Sequence, residues 1–304
     1  MSKIKKKNEI KLPTSIIGCI AGVPGIGKST LALSAPKPLL LDTDNGCHRV
    51  QAEFRTDTVQ VESYQDILDV LEEDLSDYET IVIDTLGELV NFMLKYFVDK
   101  DKSLITKGGT YNIKIWVLVK QEFENLKIKL QLLHKNLIFV SHVKAEKDGE
   151  NVVYRMNVAG STPDILNGIL DFLGFCEMVG KTRSISFSPS ERFYAKNSIQ
   201  LEDYIEIPTL KLGDVNNFLD EEIIKPTIKR RQQEGAEIKN IEKQLNEGRE
   251  LIENSTDPND VLTAFKSLEL NAHNKITLFK ELQKKYKKTH KFNKENGVFE
   301  NVEG

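Results

Sequence analysis

Short apolar runs alternate with longer amphipathic segments through the first 180 residues of the chain. The apolar runs are short and mostly free of polar residues, which is typical of strands buried on both faces of a parallel sheet. They cover residues 16–21, 38–42, 58–61, 80–84 and 137–141. Helix-compatible segments lie between them at residues 28–34, 64–75, 87–98 and 111–134. This alternation predicts an α/β fold with a mostly parallel sheet and helices on both of its sides.

The pattern changes near residue 150. Short strand-like runs at 152–158, 184–188 and 192–195 predict an antiparallel extension at the edge of the sheet. From Lys225-Pro226 onward the chain is charged and helical, with segments at 227–254, 258–268 and 273–288, and the polar residues 289–304 predict an unordered end. We therefore expect a basic N-terminal arm over residues 1–12, a core over 13–225 and a charged helical C-terminal region over 226–304.

Composition limits the function classes. The 304 residues are 39% hydrophobic and 29% charged, which is ordinary for a soluble protein. No apolar stretch approaches the ~20 residues that span a bilayer, and the N-terminal residues lack the apolar segment of a secretory signal. Three scattered cysteines without C-x-x-C spacing argue against a disulfide framework and a zinc site. We expect a cytoplasmic protein, and its net charge of −4 means that any nucleic-acid contact comes from local patches.

The segment between the first strand and the first helix reads G-V-P-G-I-G-K-S, which fits the phosphate-binding pattern G-x-x-x-x-G-K-S. Glycines in such a loop let successive backbone N–H groups point at the phosphates of a nucleotide. We expect Lys28 to contact the β- and γ-phosphates and the Ser29 hydroxyl to bind Mg²⁺. The sequence thus predicts a site for a nucleoside triphosphate, taken as ATP, and Mg²⁺. The predicted nucleotide-binding residues here are Gly22, Val23, Pro24, Gly25, Ile26, Gly27, Lys28, Ser29 and Thr30.

A P-loop ATPase also needs a carboxylate at the end of a buried strand, where it holds the water shell of Mg²⁺. The run T-I-V-I-D ends in Asp84 and supplies one. The alternative is that Asp84 caps the helix that follows. Both roles are compatible, because ligands bind at the carboxyl ends of the strands in such sheets.

Polar side chains follow two further strands. Asp42 and Asp44 end the run L-L-L-D-T-D, and we expect Asp44 to orient the water that attacks the γ-phosphate or to accept its proton. The alternative is a tight turn, because Asp-Asn-Gly favours turns. Ser141-His142 ends the run at 137–141, so His142 is expected to report the presence of the γ-phosphate; a structural histidine is the alternative.

With these elements the chain resembles the RecA-like ATPases. More closely, it resembles the phage-encoded AAA-type nucleotide-binding proteins that include the Sak-type single-strand annealing ATPases. The resemblance covers about residues 13–210 and rests on G-V-P-G-I-G-K-S, L-L-L-D-T-D, I-V-I-D-T, F-V-S-H and R-F-Y-A-K-N, in that order. Asp44 occupies the place where RecA-like proteins usually carry Glu, and His142 the place where RecA itself has Gln.

The resemblance implies a RecA-like P-loop ATPase that contacts single-stranded DNA through loops after the third and fourth core strands. One such loop covers residues 100–111 and includes Tyr111. The other covers residues 144–149 and leads into a hairpin with Tyr154 and Arg155. Lysines in these loops would pair with phosphates and Tyr111 would stack on a base, whereas ordinary solvated loops are the alternative.

The resemblance also implies a homo-oligomer or filament, in which a basic residue of one subunit completes the site of the next. Lys196, within R-F-Y-A-K-N, is the first candidate, ahead of Arg183 and Arg192. A surface salt bridge is the alternative role for these residues. Beyond the resemblance, residues 280–294 hold seven lysines and one glutamate. That density indicates either binding to nucleic acid or an acidic partner, or a solvated helix end.

The sequence therefore predicts a Mg²⁺-dependent ATPase with Lys28, Asp44, Asp84 and His142 as its catalytic residues. We expect it to bind single-stranded DNA in recombination, annealing or repair, in the host cytoplasm if it is phage-encoded, with a single-strand DNA-binding protein as a further partner. The competing hypotheses are a non-hydrolysing nucleotide-switched replication scaffold, a P-loop kinase, and a helicase or packaging motor. A kinase needs an Arg-rich lid, and no segment of the sequence has that composition.

Overall fold

The computed structural model of the chain describes residues 4–5, 9–268 and 270–302. Residues 13–228 form one compact unit, and the described parts of residues 1–12 and 229–304 form another. Lys3, Lys6 and Lys7 of the expected basic arm lie outside the described residues. Among the helices of the described residues, none is both long enough and apolar enough to cross a bilayer.

A ten-stranded sheet, counted over the described residues, forms the centre of the larger unit. Its strands are β1 (Ile17–Gly22), β2 (Pro38–Asp42), β3 (Thr58–Gln60), β4 (Thr80–Asp84), β5 (Asn136–Asp148), β6 (Asn151–Met156), β7 (Phe172–Val179), β8 (Thr182–Ser186), β9 (Lys196–Asn197) and β10 (Tyr204–Ile207). Their spatial order is β10-β8-β7-β1-β5-β4-β2-β3, with β6 paired to β5 and β9 to β7. The strands from β7 to β3 in this order are parallel, whereas β6, β8, β9 and β10 pair antiparallel to their neighbours.

Helices cover both faces of this sheet. They are α1 (Lys28–Ala32), α2 (Tyr64–Val70), α3 (Leu86–Lys100), α4 (Ile113–Leu132) and α5 (Thr162–Ile169), and a π-helical turn spans Leu219–Ile224. The apolar side chains of α2 to α5 lie in the core on one face. Those of α1 and the π-helical turn lie in the core on the other face. The predicted fold class, a mostly parallel sheet with an antiparallel edge extension, is confirmed.

The second predicted DNA-binding loop is not a loop. β5 continues past His142 to Asp148 and pairs with β6 around a turn at Gly149, whose φ is 62°. The run K-A-E-K-D in this part of β5 has low β propensity, so the local sequence gives no strand signal there. Pairing with β6, which contains Val152, Val153 and Tyr154, supplies the stabilisation.

The smaller unit contains most of α6 (Lys225–Asn254), followed by α7 (Pro258–Ser267), α8 (Ala272–Tyr286) and a hairpin of β11 (His290–Asn293) and β12 (Val298–Asn301). The prediction of an unordered end was therefore wrong for residues 290–301, while residues 303–304 lie outside the described residues. Phe292 and Phe299 pack against Phe279, with ring centroids 4.8 and 6.1 Å from it. Asn259 also exchanges two hydrogen bonds of 2.9 and 2.8 Å with the backbone of Phe299.

Candidate nucleotide-binding site

The loop with the phosphate-binding pattern joins the carboxyl end of β1 to the start of α1. Gly25 and Gly27 have φ angles of 78° and 93°, a region that favours glycine. A Cβ atom at Gly27 would also collide with the guanidinium of Arg183. Because β1 lies between β5 and β7 in the sheet, the loop emerges next to the ends of both neighbouring strands. The local backbone therefore has the form that a phosphate-binding loop requires.

Lys28 is a buried cation at the start of α1, with 4% of its surface exposed. Its Nζ donates one hydrogen bond to the carbonyl of Val23, at 2.9 Å, and another to Nδ1 of His142, at 3.3 Å. Burial lowers the pKa of Lys28, and the nearby carboxylates of Asp84 and Asp44 oppose that shift. An ammonium held this way inside the loop is suited to bind an anionic phosphate group.

Ser29 and Asp84 lie together at the predicted magnesium position. Ser29 Oγ donates to Asp84 Oδ2 at 2.5 Å, and Asp84 is 6% exposed. Burial raises the pKa of Asp84 to about 6, although the Ser29 hydroxyl lowers it. Helix α3 begins after Thr85, so Asp84 is not its N-cap residue.

This donor set fits Mg²⁺. A hydroxyl and a buried carboxylate are hard oxygen ligands, and a cation beside them would favour the ionised form of Asp84. Within the described residues, no group of three or more His, Cys, Asp and Glu side chains forms a metal site. An ion here would accordingly take its remaining ligands from water and phosphate oxygens, which is usual for Mg²⁺.

Asp42 and Asp44 have different surroundings. Asp42, 2% exposed, accepts hydrogen bonds from the backbone N–H groups of Gly46 (2.9 Å) and Cys47 (2.8 Å), so it fixes the turn that follows β2. Asp44 lies beyond this turn, and its Oδ2 is 3.9 Å from Nε2 of His142 and 3.5 Å from Nη1 of Arg49. His142, and then Arg49, hold the pKa of Asp44 below its usual value, although partial burial opposes them.

Lys28, Asp44 and His142 therefore lie on the same side of the sheet. His142 is paired with Gly22 in the register of β5 and β1, which brings its ring to the start of the phosphate-binding loop. Nδ1 faces Lys28 and Nε2 faces Asp44. The sequence-predicted catalytic residues Lys28, Asp44, Asp84 and His142 are thus brought to one edge of the sheet.

Two threonines that the sequence analysis did not select connect two of these strand ends. Thr43 Oγ1 donates to the carbonyl of Thr85 at 2.8 Å and accepts from its N–H at 2.6 Å. The Thr43 N–H also donates to the carbonyl of Asp84, at 2.7 Å. The signal in the sequence is the dipeptide Asp-Thr, which ends both the second and the fourth strand.

The predicted residues on the late strands lie in two places. Lys196, on β9, donates to the carbonyl of Asn167 of its own chain at 2.6 Å, and its role toward a second subunit stays a prediction. Arg183, on β8, lies against Gly27 and donates to the carbonyl of Pro208 at 3.3 Å. No carboxylate in the described part of the chain forms an ion pair with Arg183, so the loop has a second cation beside it.

A cleft of about 560 Å³ lies on the opposite face of the sheet from α1, at the ends of β1, β5 and β7. Its lining includes Lys144, Tyr154, Arg155, Asn167, Phe175 and Tyr194. Tyr194 is 58% exposed, and Asn167 Oδ1 is buried without a hydrogen-bond partner among the described residues. The cleft combines aromatic faces, two cationic side chains and an unpaired acceptor. The other predicted loop, residues 100–111, is closed by a bridge between Ile105 and Tyr111, and the Tyr111 ring is 39% exposed.

Comparison with known proteins gives the family. No curated protein matches the chain. Three solved structures align with it. An ATPase domain is 10% identical, with 64% of this chain and 81% of that chain covered and a TM-score of 0.41. The RadB recombinase is 15% identical, with coverage of 57% and 80% and a TM-score of 0.35. A KaiC-like protein from Pyrococcus horikoshii OT3 is 9% identical, with coverage of 56% and 77% and a TM-score of 0.35.

The strand order and the loop at the end of the central strand agree with the RecA-like P-loop NTPase fold that the sequence predicts. Residues 14–199 match the AAA-domain family, and this region includes the phosphate-binding loop, Asp84 and His142. Because the match extends over more than half of the 304 residues, the chain belongs to the AAA-domain family.

Proposed function

We propose that the protein hydrolyses MgATP and that its nucleotide state controls its affinity for single-stranded DNA. The observation that carries the proposal is the position of His142, whose ring contacts Lys28 on one side and faces Asp44 on the other. A role in recombination, annealing or repair in the cytoplasm, and the narrower relationship to the Sak-type annealing ATPases, belong to this proposal.

The residues around the loop account for nucleotide binding. Lys28 and the backbone N–H groups of the loop bind the phosphates, and Ser29 and Asp84 hold Mg²⁺. The bound ion neutralises charge that develops on the phosphate oxygens. Arg183, which has no carboxylate partner in the described part of the chain, adds a further positive charge beside Gly27.

Hydrolysis requires a water positioned for attack on the γ-phosphorus, with the bond to the leaving diphosphate oxygen in line. Asp44 is the carboxylate available for this role. Its lowered pKa means that it is ionised at neutral pH and accepts a hydrogen bond readily. It is a weak base for the same reason, so its contribution is to orient the water rather than to hold its proton.

Coupling to DNA follows from the path of β5. The strand that ends the nucleotide site at His142 continues directly into the hairpin that lines the cleft. Lys144 and Arg155 are ion-paired with Glu146, at 2.8 and 3.0 Å, and can exchange that partner for phosphates. Tyr194 offers an exposed ring on which a base can stack.

Assembly into a homo-oligomer or filament is part of the same proposal. Lys196 is the proposed residue that reaches a neighbouring subunit's nucleotide. It would first have to exchange its hydrogen bond to the Asn167 carbonyl, which is favourable only if the new partner is anionic.

Phosphate release by the full chain tests the proposal. We expect Mg²⁺-dependent turnover of ATP that increases when single-stranded DNA is added and increases less with a duplex of the same length. We also expect DNA affinity to differ between the ATP-bound and nucleotide-free protein. Equal DNA affinity in both states would contradict the coupling, whatever the rate of turnover.

A non-hydrolysing nucleotide switch is the second candidate. The observation in its favour is that Arg49 lies 3.5 Å from Asp44, where it competes with water for the carboxylate. A switch predicts nucleotide-dependent DNA or protein binding with no phosphate release. A kinase instead predicts transfer to an acceptor, so phosphate release in the absence of any acceptor excludes it.

A further inference from the structure

The solvent-facing side of α8, in the smaller unit, is cationic and free of acids. Successive helical residues rotate by about 100°, so Lys280, Lys284 and Lys287 lie within about 60° of one another. This side is opposite the buried Leu278 and Leu282. The other exposed positions on it are occupied by residues without negative charge, namely His273, Ile276, Thr277, Gln283 and Lys288.

The acids and the other cations nearby are already engaged. Glu281, the acidic residue within α8, is bound in a two-pronged ion pair by Arg249 of α6, at 3.0 to 3.3 Å. Lys285 points the other way and donates to carbonyls at the end of α6, including those of Glu253 and Ser255. Lys285 is therefore the structural lysine of the helix. Lys280, Lys284 and Lys287 form no ion pair or hydrogen bond within the described residues.

A favourable interaction with the helix dipole does not explain this surface. That effect is confined to the last turn of a helix, whereas Lys280 lies almost two turns before the end of α8 at Tyr286. Three exposed lysines with no partner repel one another, and an anion brought to this surface relieves that repulsion.

We infer that Lys280, Lys284 and Lys287 form a second nucleic-acid-binding surface, which contacts the phosphate backbone without reading sequence and without needing a nucleotide. Lysine is depleted at protein–protein interfaces, where aromatic and apolar anchors dominate, and this surface offers only Ile276 as an apolar contact. Four residues along a helix advance about 6 Å, so the lysines present a row of positive charges to a polyanion.

Binding of a fluorescent single-stranded 30-mer by the full chain, without nucleotide and with EDTA, tests the inference. In a titration from 50 to 300 mM NaCl, as an on-the-order choice for resolving the salt slope, the Lys280→Gln/Lys284→Gln/Lys287→Gln variant is expected to lose about tenfold or more in affinity. Its slope of log K against log salt should fall by about 2, since each phosphate contact contributes about 0.7 for a single strand. The matched control, Lys229→Gln/Lys239→Gln/Lys266→Gln, removes three exposed lysines elsewhere and should change neither quantity.

The triple Lys→Arg variant keeps the charge and should keep the slope, which separates loss of charge from misfolding. An unchanged slope in the Gln variant, or no nucleotide-free binding by the unaltered chain at 50 mM salt, overturns the inference. Competition by polyglutamate as effective as competition by unlabelled DNA, at equal charge concentration, also overturns it and assigns the surface to an acidic protein. The proposed ATPase cycle is measured separately, as the ATP-dependent change in affinity, so either idea can fail without the other.

Discussion

Lys28 donates a hydrogen bond to Nδ1 of His142, with 3.3 Å between the two nitrogens. An ammonium has no lone pair, so Nδ1 is the acceptor and the ring hydrogen is on Nε2, which faces Asp44 at 3.9 Å. One imidazole thus lies between the residue that is placed to bind phosphate and the carboxylate that is placed to orient water. The expected consequences can be tested one residue at a time.

Lys28→Ala should abolish nucleotide binding and leave the fold intact. The substitution removes a cation that is costly to bury, so the nucleotide-free protein should melt at the same temperature or higher. A ligand at 100 times its Kd stabilises a protein by about 2.7 kcal/mol, and that ATP-induced rise in Tm should disappear. Lys120→Ala, at an exposed position on α4, is the control and should keep the rise. An unchanged rise in Lys28→Ala would show that the loop does not bind the phosphates.

Asp44→Asn should lower kcat by about 10²- to 10⁴-fold, the usual contribution of such a group, while ATP affinity changes little. Asp42→Asn is the informative comparison, because Asp42 holds two backbone N–H groups of the turn. That variant should lose about 1–3 kcal/mol of stability, measured by urea unfolding. Equal turnover by Asp44→Asn and the unaltered protein would favour the nucleotide switch over the ATPase.

His142→Ala should raise the pKa of Asp44, because the histidine is the largest cause of its lowering. A depressed carboxyl pKa stabilises the fold above the unfolded pKa of about 3.9 and ceases to do so as the pH falls through the folded value. The stability difference between the two proteins should therefore be present at pH 7 and shrink in acid. Carboxyl carbon NMR measures the pKa directly. Arg49→Ala should give a smaller rise in the same direction, and identical titrations in all three proteins would contradict this account.

Ser29→Ala should weaken the Mg²⁺ dependence of ATP binding, because it removes the hydroxyl beside Asp84. Isothermal titration with and without Mg²⁺ measures the effect, and Ser29→Thr should restore it. Ser34→Ala is the structural control, since the Ser34 hydroxyl donates to Leu31 and accepts from the Leu219 N–H. It should lower Tm and leave the ratio of affinities with and without Mg²⁺ unchanged. If Ser29→Ala keeps that ratio too, the ion is held elsewhere.

Tyr194→Ala should reduce the affinity for single-stranded DNA in the presence of ATP. Loss of one stacked base costs about 1–3 kcal/mol, which is about 5- to 150-fold in Kd. Tyr204→Ala is the matched control, because Tyr204 is also exposed but lies on β10, outside the cleft. Equal losses in both variants would show that the cleft is not where the bases bind.

Local patterns were enough to predict the fold class and the grouping of Lys28, Ser29 and Asp84. The loop motif is contiguous, and the polar residues that end parallel strands meet at one edge of a sheet. Arg183 beside Gly27 could not be predicted, because that contact depends on how an antiparallel hairpin 156 residues away along the chain pairs with β7. The same limit applies to the second half of β5, whose strand conformation comes from its partner rather than from its own residues.

The aromatic hairpin at residues 290–301 decides where the gene can be cut. A reading frame stopped before residue 290 would leave Phe279 uncovered and the side chain of Asn259 without the backbone groups it binds. We expect such a product to precipitate during purification. Affinity tags and truncations should accordingly spare this segment, even though its residues look like a dispensable polar tail.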